Sequence, residues 1–278
     1  MTESNSPGRM LAILSLFNED RREWTPNALM ARLGYSRPTL YRYLKTLKDN
    51  GFIVGRTNTG FTLGPKIVEM DFLLRRSDPL VLEGRAQLLR LIERYPCAAF
   101  LARWYGEKVL CMHAEQSATD VKSSYPRGRP MPVGRGATSH AILAFLPKRQ
   151  LIPLIQKCMP EFRKIGFGRD TASVLKRLTV FRREGAAVAR GEVTHGVVGV
   201  GAPVFDAGTA PIACLTVAIH ETRVDDALLS ELKRDVQTAA AELSDVLGHR
   251  RTHDVPRLIR QRKFKPNAST DHPEGSLP

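Results

Sequence analysis

The side chains best suited to chemistry cluster first in "GYSRPTLYRYLKTL", residues 34–47. Arg37, Arg42, Lys45 and Lys48 alternate with Tyr41 and Tyr43, and no acidic residue falls between Arg37 and Lys48. A face made only for water usually mixes charge signs. Read as a helix, the stretch takes Ser36 as N-cap and Pro38 in the first turn, where a missing amide proton costs nothing. Leu40, Leu44 and Leu47 then fall at i, i+4 and i+7, an apolar stripe that must be buried. Arg37, Tyr41, Lys45 and Lys48 form a second stripe beside it, and Arg42 lies nearly opposite the leucines. A helix greasy on one side and basic and aromatic on the rest suits a nucleic acid. Its cations reach phosphates or guanine edges, and Tyr41 packs on a thymine methyl. The expected DNA contacts are Ser36, Arg37, Thr39, Tyr41, Arg42, Lys45 and, farther along, Arg56.

Ser139, His140 and His195 are the residues that could do covalent chemistry. A hydrolase needs a nucleophile, a base and an orienting carboxylate within mutual reach. Ser139 sits in A-T-S-H-A rather than in a G-x-S-x-G elbow. Adjacent Ser and His on one helix point about 100° apart. No catalytic residue is therefore expected. A metabolic enzyme built on the body, with the head as a regulatory appendage, is the alternative, and an RNA-binding module a second. Cysteines 97, 111, 158 and 214 are far apart and form no C-x-x-C pair, so they read as small buried hydrophobes. Neither a metal nor a cofactor is expected.

The elements that would hold the basic helix can be read on either side of it. Upstream, "WTPNALMARLG" offers Thr25 as N-cap, Pro26 at the first helical position, Ala28, Leu29 and Leu33 as an apolar face, and Gly34 as the stop. Arg9 to Phe17 presents Met10, Ile13, Leu14 and Phe17 on one side. Downstream, Phe52–Val54 and Phe61–Leu63 read as strands around a turn near Asn58–Gly60, a wing that brings Arg56 toward phosphate. Three helices and a hairpin within residues 1–66 make a winged helix-turn-helix, whose second motif helix enters the major groove of DNA. Two copies would read a near-palindromic site.

Residues 67–94 read as a helical linker interrupted at Asp78-Pro79. From residue 95 to 248 strands and helices mix. "CAAFLARWYG" with "KVLCMHAEQ" and "VVGVGAPVFD" with "APIACLTVAIH" read as hairpins. "DVKSSYPRGRPMPV" reads as a strand and loop, and "ATSHAILAFLP", "KRQLIPLIQKCM" and "TASVLKRLTVFRREG" as helices. "DDALLSELKRDVQTAAAELSDVLG" closes the body at Gly248. The class is α+β, with a sheet backed by helices on one face. Residues 249–278 read as a disordered basic tail.

The chain carries 42 Lys and Arg against 28 Asp and Glu, net +14, which favours polyanionic partners. Residues 1–66 hold +5 and residues 249–278 hold +4, while the body holds +5 over nearly three times the head's length. No run of apolar residues approaches the roughly 18 to 20 that cross a bilayer, and "MTESNSPGR" lacks the apolar core of a signal peptide. A cytoplasmic location is expected.

Across about residues 8–248, four stretches in order resemble an IclR-type bacterial transcription regulator: "GYSRPTLYRYLKTLKDNGFI", "FTLGPKIVEM", "ATSHAILAFLP" and "GVVGVGAPVFDAGTAPIACLTVAI". The resemblance implies a winged helix head, a helical linker and a GAF-like α/β effector-binding domain, assembled as a homodimer or tetramer. It implies an effector site at Gly136, Ala137, Ser139, Glu192, Gly199, Thr216 and Ala218. Departures from the family pattern are Pro38 for a serine, Ser139-His140 for a Gly-Lys pair, Ala189-Arg190 for an acidic pair, Gly199 for a cysteine and Ala218 for a hydroxyl residue. They remove polar groups and leave room. The expected effector is a small organic acid of the larger or less polar kind, such as an aromatic carboxylate. Thr216 and the amides near Gly136 would hold its polar end.

Overall fold

Pro79 decides how the chain divides. A proline disfavours helical backbone in the residue before it, and Asp78 is extended at φ −76°, ψ 111°. In the computed structural model, which describes residues 6–56, 60–117 and 125–259, two compact units meet at that step.

The first unit runs through α1 (Ser6–Leu14), α2 (Pro26–Leu33), α3 (Arg37–Asp49), β1 (Ile53–Arg56), β2 (Gly60–Leu63) and α4 (Pro65–Ser77). Thr25 caps α2 by accepting from the Ala28 amide at 3.3 Å, and Gly34 ends it in the left-handed region at φ 67°. Ile13, Trp24, Leu29, Leu40, Leu44, Leu47 and Ile53 form the core. Tyr43, which the leucine stripe did not include, joins them at 5% exposure. β1 and β2 pair antiparallel from Ile53–Leu63 to Arg56–Gly60. Trp24 pins this hairpin by exchanging both backbone bonds with Phe61, at 3.0 and 2.9 Å. The turn expected near Asn58 falls largely on residues 57–59, outside the described residues.

The second unit is a six-stranded antiparallel sheet: β3 (Ala98–Trp104), β4 (Val109–Gln116), β5 (Pro130–Met131), β6 (Ala187–Arg190), β7 (Val197–Phe205) and β8 (Pro211–His220), in the order β5-β4-β3-β8-β7-β6. Successive side chains of a strand point to opposite faces. Val198, Val200, Ala202 and Val204 of β7 and Leu215, Val217 and Ile219 of β8 face α5 (Pro79–Arg94) and α9 (Asp226–Ile259). Their alternates face α6 (Ala137–Phe145), α7 (Lys148–Lys164) and α8 (Thr171–Glu184), where Cys214 joins a second core with Ile142, Ile155, Phe162 and Phe167.

Four expectations change. Helices cover both faces of the sheet, because α6–α8 carry enough apolar surface for a core of their own. The stretch 67–94 is two helices in different units: α4 has no buried residue, whereas α5 buries Leu80, Val81, Gly84, Leu88 and Leu91. A Cβ at Gly84 would lie 2.4 Å from Leu101 Cδ1, so this glycine lets α5 approach β3. The closing helix passes Gly248 and reaches Ile259, since one glycine costs a helix only about 1 kcal/mol. The basic segment expected to be tail is thus helical to that point, and residues 260–278 lie outside the described residues. β6 was not anticipated, and it forms one edge of the sheet.

Candidate functional site

In the first unit the buried stripe of α3 turns its other faces outward. Ser36, Arg37, Tyr41, Arg42, Lys45 and Arg56 are exposed, and Thr39 is half-buried. Ser36 begins the helix without a side-chain bond to its amides and instead donates to Thr39 Oγ1 at 3.0 Å. The Arg37 guanidinium lies 5.6 Å from the centre of the Tyr41 ring. Tyr41, Lys45 and Lys48 of α3 and Arg56 of β1 line one groove between helix and hairpin, which Asp49 also enters. Arg37 and Arg42 lie outside that groove. The unit therefore presents a basic groove and, separately, two arginines on the same helix.

In the second unit a cavity of about 80 Å³, open to solvent on one side, lies between α6 and the sheet. Strand register brings its floor together: Gly199 pairs with Ala218, and Thr216 with Gly201 and Phe100. Gly199, Thr216, Ala218 and Phe100 all line it. A Cβ at Gly201 would come within 3.1 Å of the Ala137 backbone, so a side chain there would have to push β7 and the start of α6 apart by a few tenths of an ångström. Thr138 and Thr216, both buried, share a hydroxyl hydrogen bond of 2.9 Å.

Of the residues expected at the effector site, Gly136, Ala137, Glu192, Gly199, Thr216 and Ala218 line this cavity. Ser139 does not: its Oγ is buried and accepts from the Gly134 amide at 2.8 Å, bracing the loop before α6. The Gly136 amide, expected to hold the effector's acid group, donates instead to Glu192 Oε2 at 2.7 Å. Sequence reasoning missed Phe100, Tyr125, Arg135, Thr138 and Val193. Arg135, Thr138 and Val193 adjoin Gly136, Ala137 and Glu192, already singled out, and that adjacency is the signal that could have found them.

His140 is fully buried, with Nε2 2.7 Å from the same Glu192 oxygen. Its ring stacks on Phe167, centres 4.1 Å apart and planes 12° apart, with Phe162 and Phe181 beyond. Burial pushes the Glu192 carboxyl up. The His140 hydrogen bond and charge and the Gly136 amide outweigh burial and hold it below the ordinary glutamate range. Ser139 and His140 thus bond to different partners and form no nucleophile–base pair. His195 is exposed. Burial pushes the Cys97 and Cys214 thiols up to about 12, which leaves them inert small hydrophobes. Among the described residues no His, Cys, Asp and Glu cluster could hold a metal ion, and no helix is long and apolar enough to cross a membrane.

A basic winged helix head and a separate α+β unit holding a mostly apolar cavity define a DNA-binding transcription regulator with an effector-binding domain. The comparisons give the family. Residues 85–245 match the family described as bacterial transcriptional regulator IclR C-terminal, and residues 6–56 match the IclR helix-turn-helix domain. The chain belongs to the IclR family. It is 27% identical over 242 residues, 87% of this chain and 96% of the relative, to the HTH-type transcriptional regulator XynR of Escherichia coli (strain K12). The fold matches an ICLR transcriptional regulator from Silicibacter sp. TM1040 with TM-score 0.76 at 21% identity, covering 88% of this chain and 96% of that one. It also matches an IclR homologue from Microbacterium hydrocarbonoxydans, solved in complex with 4-hydroxybenzoate, with TM-score 0.70 at 20% identity, covering 87% and 100%.

Proposed function

We propose that the protein is a cytoplasmic regulator that binds a near-palindromic operator as a homodimer or tetramer and changes its DNA affinity when a small organic acid, of aromatic type, enters the cavity under α6. The observation that carries this reading is the cavity: mostly apolar, and edged by Arg135, Glu192 and the Thr138–Thr216 pair. The Microbacterium homologue, solved with an aromatic hydroxy acid, supports the ligand class. On α3, Ser36, Arg37, Thr39, Tyr41, Arg42 and Lys45, with Arg56 on the wing, are the DNA contacts. Val68, Phe72, Leu73 and Leu74 stand exposed on α4, and burying such a surface against a second copy would bring two heads onto successive major grooves. A ligand shifts DNA binding only through different affinity for the states that bind and do not bind.

The test is recovery and sequencing of sheared genomic DNA by the purified protein, beside an Arg37→Ala/Arg42→Ala double variant. A few sharp, near-palindromic peaks lost in the variant are expected. Diffuse, salt-sensitive recovery unchanged by the substitutions would overturn the reading.

A further inference from the structure

Among the described residues Glu192 is the one acidic side chain lining the cavity, and its two oxygens are used unequally. Oε2 receives both the Gly136 amide and His140 Nε2, each at 2.7 Å. Oε1 has no donor among the described residues. The side chain is mostly buried, at 16% exposure. Oε1 is thus the oxygen left open to solvent, so a ligand that displaces water there must supply a donor of its own or leave a charged acceptor unpaired. The same arrangement works against an acid group at this spot. The amide that would receive it is taken, and a second carboxylate beside Glu192 would repel it.

The acid group has another seat. Arg135 lines the cavity, and its guanidinium pairs with Glu161 at 3.5 Å without a hydrogen bond at Nε.

His140 keeps the carboxylate where it is. Its Nδ1 is buried with no partner among the described residues, so the ring is oriented by stacking rather than by a second hydrogen bond. Phe167 lies flat against it, and Arg177 covers the far side of Phe167 at 4.5 Å while donating to the Gly166 and Phe167 carbonyls. A ring clamped in this stack delivers Nε2 to Oε2 and leaves Oε1 as the acceptor for a ligand.

Resting on the reading of this cavity as the effector site, we propose that Glu192 selects the effector by accepting, at Oε1, a hydrogen bond from a hydroxyl group on an aromatic ligand, with His140 as the positioning residue. The effector class is then a hydroxylated aromatic acid, its hydroxyl at Glu192 and its carboxylate at Arg135.

Calorimetric titration of the full-length protein tests this with probes matched in size. These are 2-, 3- and 4-hydroxybenzoate, each against the toluate of the same substitution, and benzyl alcohol against ethylbenzene. At least one hydroxyl probe should bind about tenfold or more tightly than its methyl partner, as expected of a hydrogen bond to a charged acceptor. His140→Phe, which keeps the aromatic stack, should bring that ratio toward one, the hydroxyl probe losing more affinity than its methyl partner. His140→Gln, whose amide can still donate to Glu192, should restore part of it. If histidine were only a packing residue, both probes would weaken together and the ratio would hold, which overturns its positioning role. Should either variant fail to fold, the wild-type ratios decide the Glu192 assignment and the remaining variant decides His140. Equal binding within every pair, or no binding by any probe, overturns the proposal. Preference for benzyl alcohol with no acid bound would leave the Glu192 assignment standing and remove the organic-acid reading.

Discussion

The two units solve opposite problems with the same chain. The head displays its working side chains outward from a small core, so each residue of α3 acts almost alone and its role follows from position on the helix. The body folds its working side chains inward, so the cavity exists only because β7, β8, β3 and the start of α6 are brought into register. An outward site can lose one residue and keep the rest. An inward site depends on neighbours that touch no ligand, as His140 and Gly201 show.

That contrast is broken most severely by removing core side chains from each unit in turn. Leu40 is fully buried in the head, and Leu40→Ala should cost about 2–5 kcal/mol. Phe167, buried beneath His140 in the body, should cost a comparable ~3–5 kcal/mol as Phe167→Ala. Calorimetric melting with DNA and aromatic-acid binding as readouts should show Leu40→Ala abolishing operator binding while ligand binding survives, and Phe167→Ala doing the reverse. Loss of both activities in both variants would mean that the two units do not work separately.

Substitutions on the outward face sharpen the comparison. Lys45→Ala should weaken binding to all DNA sequences alike and lower the slope of log affinity against log salt by about 0.9, the value for one phosphate contact. Arg42→Ala, if the guanidinium reads a base edge, should instead relax preference at one operator position at a cost of about 1–3 kcal/mol. A filter-binding salt series on operator and scrambled DNA separates the two outcomes.

The same contrast explains what could be read from sequence. Helix α3, its Thr25-capped and Gly34-stopped predecessor, and the basic stripe followed from local spacing, because an amphipathic helix writes its exposure every three or four residues. Tyr43 was left unassigned, because an aromatic among arginines shows its place only once the core is formed. In the body the family resemblance pointed to Gly136, Glu192 and Thr216, which line one cavity. No local pattern could show that Phe100, more than 90 residues from Glu192, shares their cavity, since only the pairing of β3 with β8 puts it there. Ser139 went wrong for a related reason. Its place at the start of α6 suggested the ligand, but rotation about the helix turns it to the Gly134 loop. Ser139→Ala should therefore leave the Gly134 amide buried without an acceptor, costing about 1–3 kcal/mol. Affinity for aromatic acids should stay within about twofold of wild type, and a larger loss would return Ser139 to the ligand site.

The smallest expected effect concerns the charge inside the cavity. Glu192 is held below the ordinary glutamate range in the folded protein, so its ionised form favours folding. That contribution is fully present above the unfolded value of about 4.3 and is lost as pH falls through the lower folded value. Glu192→Gln keeps an oxygen for the Gly136 amide but has no charge to lose. Melting temperatures of wild type and variant measured from pH 7 downward should therefore converge below about pH 5, with wild type the more stable at neutral pH. A gap that stayed constant with pH would mean that Glu192 contributes by shape alone, and the inward site would then differ from the outward one in geometry but not in electrostatics.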